Sequence, residues 1–195
     1  VTEAEYRATE HLTREAFWNL YKPGCEEHLI LHNLRHGNNY IPDLDLVTVH
    51  QSGIIGHAIS TVARVQSPGN QAHEVLCLGP ISVLPKWQGC GLGSQLMDRS
   101  IETARILGYA GMMLFGDPDY YHRFGFHNAA QYGIRTKDDQ NFEAFMALEL
   151  QENSLRNIQG RFYEDDAFEV DQKQLAEFEK HFPAREKGEP TSPIS

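Results

Sequence analysis

Residues 78–97 read LGPISVLPKWQGCGLGSQLM, in which an apolar run gives way to a glycine-rich turn and then to a helical pattern. Pro85 ends the apolar run because proline has no backbone N–H to donate to a neighbouring strand. Apolar residues recur at helical spacing from Leu96 to Leu107. Gly108 then stands where the end of a helix favours a left-handed residue. The stretch therefore predicts a strand, a glycine-rich turn and a helix, in that order.

This order of elements has a chemical consequence. The first turn of a helix leaves backbone N–H groups without partners, and the helix dipole adds partial positive charge at the same end. Glycines lack the Cβ atoms that would keep a ligand away from the backbone. Gly89, Gly91 and Gly93 therefore indicate a phosphate-binding turn. The alternative is that the glycines serve the turn alone, but glycine at alternate positions is more than a turn needs.

The known phosphate-binding motifs differ in the residues that they require. A Walker loop needs lysine followed by serine or threonine after its last glycine, whereas Gly93 is followed by serine and glutamine. The dinucleotide fingerprint needs a glycine at its sixth position, which is a serine when counted from Gly89. The pattern Q-x-x-G-x-G does fit, from Gln88 through Gly91 to Gly93.

This pattern resembles the acetyl-CoA pyrophosphate loop of the GNAT superfamily of N-acetyltransferases. A second element of that family, Y-x-x-x-G-F, is expected further along the chain, and residues 121–126 read YHRFGF. Residues 81–85, ISVLP, resemble the family's strand beside the pantetheine arm. The resemblance covers roughly residues 4–150. Within it, residues 116–126 are similar to a bacterial branch of the superfamily whose substrates are mostly unassigned.

The resemblance implies an α+β fold with a mixed sheet, in which an antiparallel meander is joined to a splayed parallel strand pair and helices cover both faces. Alternating and apolar runs predict the meander strands at 44–50, 54–65 and 73–83. A buried strand is predicted at 109–115, and its connection through the helix makes a right-handed parallel crossover. A late strand is predicted at 143–150.

Two helices are predicted before the meander in the chain, and a short one is predicted after the helix that follows the glycine turn. Thr2 and Glu5 form a capping box at the start of the first helix. A second helix is predicted over 25–36. Asp117 is suited to cap a short helix that includes 120–124.

The chain is expected to form one domain with an addition at its C-terminal end. Residues 1–150 are interpreted as the GNAT-like acetyltransferase domain. Residues 151–183 are interpreted as an extension with one helix, starting at Asp171, packed on that domain. Residues 184–195 carry few apolar side chains and are expected to be a flexible tail.

The resemblance assigns the cofactor contacts to the glycine turn, to the strand before it and to Arg123. Backbone amides from Gln88 to Ser94 would bind the pyrophosphate of acetyl-CoA, and the preceding strand would lie along its pantetheine arm. Arg123 would either meet a cofactor phosphate or be a surface cation. The expected cofactor-binding residues are Ile81, Ser82, Val83, Gln88, Gly89, Cys90, Gly91, Leu92, Gly93, Ser94 and Arg123.

Acetyl transfer also needs a polarised thioester carbonyl and a proton for the departing thiolate. The resemblance gives the first role to the backbone amide of Val83, where the parallel pair splays, and the second to Tyr121. The alternative is that Tyr121 is a core aromatic residue. Tyr120 would take the role of proton donor if the register of the motif were off by one residue. No general base is evident, and a water chain could take its place. Cys90 as a covalent acetyl carrier lacks a partner base in register.

The predicted second helix borders the acceptor site in GNAT folds. The resemblance therefore makes Glu26, Glu27 and His28 candidates for contacting an amine. Histidines at 28, 32 and 36 share one helix face, a spacing that can ligate a metal. No acidic third ligand stands in register, so we expect no metal and interpret the histidines as a solvated or pocket-lining face.

Composition narrows the class of protein. The formal net charge of −10 argues against a nucleic-acid-binding protein, because such proteins carry a basic face. Three cysteines without a disulfide framework suggest a reducing compartment. No apolar run approaches the length of a membrane span. We therefore expect a cytoplasmic protein that contacts neither nucleic acid nor membrane.

The sequence favours an N-acetyltransferase that moves an acetyl group from acetyl-CoA to a primary amine by direct transfer in a ternary complex. The alternative is a non-catalytic acyl-CoA-binding module that senses or regulates. The expected partners are acetyl-CoA and an amine acceptor, either a small molecule or a protein. A homodimer is a further expectation, because dimers are common in the superfamily.

Overall fold

The computed structural model describes residues 1–51 and 53–192. Within these ranges, no helix is long and apolar enough to cross a membrane. The helices are α1 (Glu3–Phe17), α2 (Glu27–His36), α3 (Leu92–Ile106), α4 (Pro118–Tyr121) and α5 (Gln172–Glu179). The strands are β1 (Tyr40–His50), β2 (Gly53–Gln66), β3 (Ala72–Val83), β4 (Gly111–Phe115), β5 (His127–Asn128), β6 (Ile134–Thr136), β7 (Phe145–Glu149) and β8 (Gly160–Tyr163).

The described strands form one mixed sheet. Its order is β5-β7-β4-β3-β2-β8-β6, and β1 pairs with β2 beside β8. The first three strands make the predicted antiparallel meander. The register of β1 and β2 shifts next to Gly56, an irregularity of the kind that a β-bulge produces. Helix α3 then carries the chain to β4, which lies parallel to β3. The expected fold class is confirmed.

The sheet has an apolar core on each face because its strands alternate. Leu76 on β3 and Met112 on β4 pack on the side that holds α3. Their chain neighbours Cys77 and Met113 pack on the opposite side, with Phe162 of β8. Helices α1 and α2 both contact β3, and α2 buries Leu31 and Leu34 against β2. Helices therefore cover both faces, as expected.

Helix α2 is also held to the sheet by a buried polar network around Asp45. The Asp45 carboxylate accepts hydrogen bonds from Arg35 Nε at 2.9 Å, from Tyr40 Oη at 2.9 Å and from His57 Nε2 at 2.7 Å. Burial raises the pKa of Asp45, but the hydrogen bonds and charges of His57 and Arg35 outweigh it and hold the pKa well below its usual range. The network fixes the position of α2 and therefore of the residues at its start.

The C-terminal part of the chain contributes more elements than the single helix expected of it. Strand β8 pairs with β2 and β6, so residues 160–163 belong to the same sheet. Helix α5 starts after its N-cap Asp171, as predicted, and buries Leu175 and Phe178 against α2. The division at residue 150 remains a prediction.

Short strands and the last residues add to what the sequence indicated. Strands β5, β6 and β8 have two to four residues each, too few for an alternating pattern to identify. The segment expected to be a flexible tail makes hydrogen bonds from Thr191 and Ser192 to the backbone of Asn19 and Leu20. Residues 193–195, the end of that segment, lie outside the described residues.

Candidate active site

The glycine-rich turn opens into a groove of about 810 Å³. Its wall on one side is the last part of β3 and the turn that follows, and on the other side the end of β4 and helix α4. Residues from α1, α2 and the segment 166–168 close its far end. Of the predicted site residues, the groove is lined by Glu27, Ile81, Val83, Gln88, Gly89, Gly91, Leu92, Gly93, Ser94, Tyr121 and Arg123.

The groove exists because β3 and β4 separate. They pair at Leu76 with Met112 and at Cys77 with Met113, and no pairing is described beyond these positions. At Gly79 and Pro80 the register of β3 against β2 shifts by one residue, which bends the strand. The parallel pair therefore splays at its carboxyl end, as the sequence predicted.

The glycine turn has the backbone geometry of a phosphate site. Gly89 and Gly91 have φ angles of 76° and 80°, a left-handed region that disfavours other residues. Gly91 is the N-cap of α3, so the unpaired N–H groups of that helix open into the groove. A Cβ atom at Gly93 would lie 3.0 Å from the Tyr120 hydroxyl, so this position has little room for a side chain.

Gln88 ties the turn to the end of β3. Its Nε2 donates a hydrogen bond to Val83 O at 3.0 Å, while the next residue, Leu84, donates to Ile55 O on β2. In a strand the N–H and C=O of one residue point to the same side, opposite to those of the next. The Val83 N–H is therefore directed away from β2, toward the gap left by β4.

Two adjacent tyrosines occupy different parts of the groove. Tyr121 packs beside Phe126 and against the backbone of Gly116, where an added Cβ atom would overlap its ring. Burial, followed by the charges of neighbouring groups, raises the pKa of Tyr121, so its hydroxyl keeps its proton. Tyr120 points to the start of α3, and the Arg123 guanidinium lies 4.7 Å from its ring centre.

The far end of the groove carries carboxylates and aromatic rings. Glu27 lies here, and burial raises the pKa of its carboxyl group. Tyr21 lies in a loop closed by hydrogen bonds between Asn19 and Gly24. Burial, then the charges of Glu27 and Asp117, raise the pKa of Tyr21.

Four candidate site residues, Glu26 among them, do not line the groove. Ser82 is buried on the other face of β3, where its hydroxyl lies 2.9 Å from that of Thr13. Cys90 is exposed outside the groove lining, so only its backbone could serve the turn. His28 is fully buried, with its Nε2 2.7 Å from a carboxylate oxygen of Glu179. The geometry therefore gives His28 no contact with an acceptor.

The predicted histidine row does not form a ligand set. His32 Nδ1 contacts Glu10 at 2.8 Å, and His36 Nδ1 lies 2.7 Å from His32 O. Across the described residues, no group of three or more His, Cys, Asp and Glu side chains is arranged to hold a metal ion. Burial lowers the pKa of His28 to about 4, because the charged imidazole would lose its water.

Sequence reasoning missed most of the far end of the groove. Phe17, Tyr21, Phe115 and Phe168 line it, yet each lies in a different element or loop. Asp117 was interpreted as a helix cap, and it is one, since its Oδ1 accepts from Asp119 N at 2.9 Å. No local pattern links these residues, because only the fold brings them together.

Comparisons with known proteins identify one family. Residues 46–128, which run from β1 to β5 and include both motifs, match a family model described as the acetyltransferase (GNAT) domain. An uncharacterized N-acetyltransferase of Escherichia coli K12, YhbS, is 28% identical over 154 residues, 78% of this chain and 81% of that protein.

Solved structures of this family share the fold. The crystal structure of YhbS from Escherichia coli in complex with CoA has a TM-score of 0.76 at 25% identity, covering 86% of this chain and 88% of that one. A GNAT family acetyltransferase from Brucella melitensis in complex with acetyl-CoA has a TM-score of 0.68 at 25% identity, covering 87% and 95%. The matched domain, the relative and the shared fold support a GNAT superfamily N-acetyltransferase, and they are consistent with an acyltransferase.

Proposed function

We propose that this protein transfers the acetyl group of acetyl-CoA to a primary amine by direct attack in a ternary complex. One observation carries the proposal: the glycine turn at the start of α3 opens into the same groove that the Tyr121 side chain lines. A cofactor held by the turn would therefore extend its thioester toward the gap between β3 and β4. The relatives solved with CoA and with acetyl-CoA support this placement.

The cofactor would be held mainly by backbone. The N–H groups between Gln88 and Ser94 are suited to the pyrophosphate, since the dipole of α3 favours negative charge at this end. Arg123 lines the same part of the groove and would add a positive charge for a phosphate. Because backbone supplies the contacts, glycine matters more here than any particular side chain.

The thioester carbonyl would be polarised by the backbone of β3. The Val83 N–H is directed into the gap, and the Gln88 side chain holds the carbonyl of the same residue at 3.0 Å. A fixed donor aimed at a developing oxyanion lowers the barrier without reorganisation during the reaction. Ile81 would lie along the pantetheine arm.

The departing thiolate would take its proton from Tyr121. In the overall reaction two protons leave the nitrogen of the acceptor ammonium ion, the C–N bond forms and the C–S bond breaks. One of these protons is released to solvent, and the other replaces the proton that Tyr121 gives to the thiolate. The raised pKa keeps the Tyr121 hydroxyl protonated, which is the state that a general acid requires.

The proposal is tested by thiol release from acetyl-CoA with and without amine acceptors, read together with the mass of the acceptor. We expect release that depends on an amine, with one acetyl group gained by the acceptor. Calorimetric binding of acetyl-CoA with no release in the presence of small amines, peptides or lysine-containing proteins would contradict the proposal. That result would instead support a non-catalytic acyl-CoA-binding module.

A further inference from the structure

The charged side chains that line the groove are separated along it. Among the described residues that line it, the charged ones are Arg123 at the cofactor end, and Glu27 and Asp117 near Tyr21. Arg123 is engaged with Tyr120, because its Nε donates to Tyr120 O at 2.9 Å. The part of the groove away from the glycine turn is thus suited to a positively charged ligand.

Glu27 is the more buried of the two carboxylates that line the groove, since it is half-buried and Asp117 is exposed. The Glu27 Oε2 accepts a hydrogen bond from Glu26 N at 2.9 Å, and no cationic side chain in the described part of the chain forms an ion pair with it. Its neighbour Glu26 is paired with Lys22 instead. Asp117 likewise accepts one backbone hydrogen bond, as the N-cap of α4, but it is exposed to water. Glu27 is therefore the carboxylate whose half-buried position favours contact with a bound ligand.

The surroundings of Glu27 favour proton transfer. The group lies partly buried at the start of α2, and the titratable or charged groups around it are Lys22, Glu26, Tyr21 and Cys25. Burial raises the pKa of the Tyr21 hydroxyl and of the Cys25 thiol, so both are neutral. A carboxylate with a raised pKa is a stronger base than one in water.

Aromatic side chains line the same groove as the Glu27 carboxylate. The Phe17 and Tyr21 rings lie 6.1 Å apart at the end of α1. Phe115, 44% exposed at the end of β4, stacks on Phe145 with ring centres 5.0 Å apart. Phe168 closes the wall beside α2. Aromatic faces attract both cations and flat apolar groups.

Resting on the proposed function, we infer that Glu27 accepts the proton of the acceptor, and that the acceptor is a small primary amine on an aromatic or other flat apolar body. The ammonium ion gives one proton to the Glu27 carboxylate, which passes it to solvent. The neutral nitrogen then attacks the acetyl carbon, and its second proton replaces the one that Tyr121 gives to the thiolate. The apolar body would lie among Phe17, Tyr21 and Phe115.

The test uses the full chain, acetyl-CoA and the probe 2-phenylethylamine, with ethanolamine as an amine that lacks an apolar body. Glu27→Gln is compared with Glu26→Gln, a neighbouring carboxylate that pairs with Lys22 and does not line the groove. We expect Glu27→Gln to lower kcat/KM for 2-phenylethylamine by about a hundredfold, a typical contribution of a general base. Glu26→Gln should stay within about twofold of wild type.

Two further readouts separate proton transfer from a structural role. The wild-type kcat/KM should rise with pH as Glu27 loses its proton, above the usual range of a glutamate, and Glu27→Gln should lack this limb. The melting temperature should not fall in Glu27→Gln, because a carboxyl group whose pKa is raised by folding destabilises the native state once it ionises. Acetyl-CoA affinity should be unchanged in both variants.

The outcomes distinguish this inference from the proposed function. Wild-type rates in Glu27→Gln would overturn its assignment as proton acceptor. Equal kcat/KM for ethanolamine and 2-phenylethylamine, or release with peptides but not with 2-phenylethylamine, would overturn the acceptor class while leaving the acetyltransferase proposal in place. The absence of release with every acceptor would overturn both.

Discussion

The two ends of the groove are built in different ways. The cofactor end is a single stretch of chain, from Val83 to Ser94, whose chemistry belongs to backbone N–H groups and to glycine. The proposed acceptor end is assembled from side chains on α1, the loop that holds Tyr21, the start of α2, the end of β4 and residues 166–168. A short motif therefore specifies the first end, whereas the second depends on the whole fold.

The largest effect on turnover should come from removing the Tyr121 hydroxyl, between the two ends of the groove. Tyr121→Phe is expected to lower turnover by about a hundredfold, since general acid catalysis contributes at least this much. Acetyl-CoA affinity should change little, because the turn that would hold the cofactor is untouched. Steady-state kinetics and calorimetry would measure the two quantities. Tyr120→Phe is the control, and a larger loss of turnover in that variant would move the role of general acid to Tyr120.

The acceptor end depends on helix α5, whereas the cofactor end does not. Glu179 on α5 accepts hydrogen bonds from buried Arg14 at 2.9 Å and contacts His28, next to Glu27. We expect Glu179→Gln to lower the free energy of unfolding by about 2 kcal/mol, less than a fully buried pair because Glu179 is partly exposed.

The same variant separates the two ends functionally. If α5 positions α2, KM for the amine should rise in Glu179→Gln while acetyl-CoA affinity stays at the wild-type value. Chemical denaturation and steady-state kinetics would measure these effects. Equal losses of amine and acetyl-CoA affinity would mean that the two ends are not independent.

A smaller effect is expected from crowding Tyr121 without changing it. A methyl group at Gly116 would overlap the Tyr121 ring, so Gly116→Ala should lower turnover by about tenfold through a displaced ring, at a typical overpacking cost of 1–3 kcal/mol. Gly37→Ala is the matched control, because an added Cβ atom there meets its neighbours at an ordinary 3.5 Å. Similar turnover in the two variants would contradict the assigned position of Tyr121.

The smallest effect is expected at a cysteine of the cofactor turn. Cys90→Ser should leave turnover and acetyl-CoA affinity within about twofold of wild type, as for other exposed substitutions. The thiol is exposed and does not line the groove, so the turn would use only its backbone. A large loss of turnover, with loss of a covalent acetyl-enzyme in mass spectrometry, would instead favour transfer through the thiol.

The sequence predicts long elements and contiguous sites well, and short or dispersed ones poorly. Strands β2 and β3, of 14 and 12 residues, show turn signals and apolar patterns that place them within a few residues. Strands of two to four residues lack any repeat that could identify them. The glycine turn was predictable because its positive φ angles and helix N-terminus require glycine at fixed positions.

The proposed acceptor end was not predictable, because its residues come from separate parts of the chain. Tyr21 and Phe115 are far apart in the sequence and line one groove only in the folded protein. His28 follows Glu27 directly, yet successive helix positions face different directions, so one is buried against α5 and the other lines the groove. Identity and spacing alone could not separate these two residues.

Calorimetric titration with acetyl-CoA would show whether the glycine turn holds the cofactor. Gly91→Glu places a carboxylate where the pyrophosphate would bind, and Gly69→Glu makes the same change in an exposed turn. The two glycines have φ angles of 80° and 87°, and an added Cβ atom meets nothing within 4 Å at either, so the backbone strain is matched.

We expect Gly91→Glu to weaken binding by on the order of a hundredfold, since juxtaposed like charges cost several kcal/mol. Gly69→Glu should bind acetyl-CoA as tightly as the wild type. Wild-type affinity in Gly91→Glu would contradict the account, and the glycines would then serve only the turn.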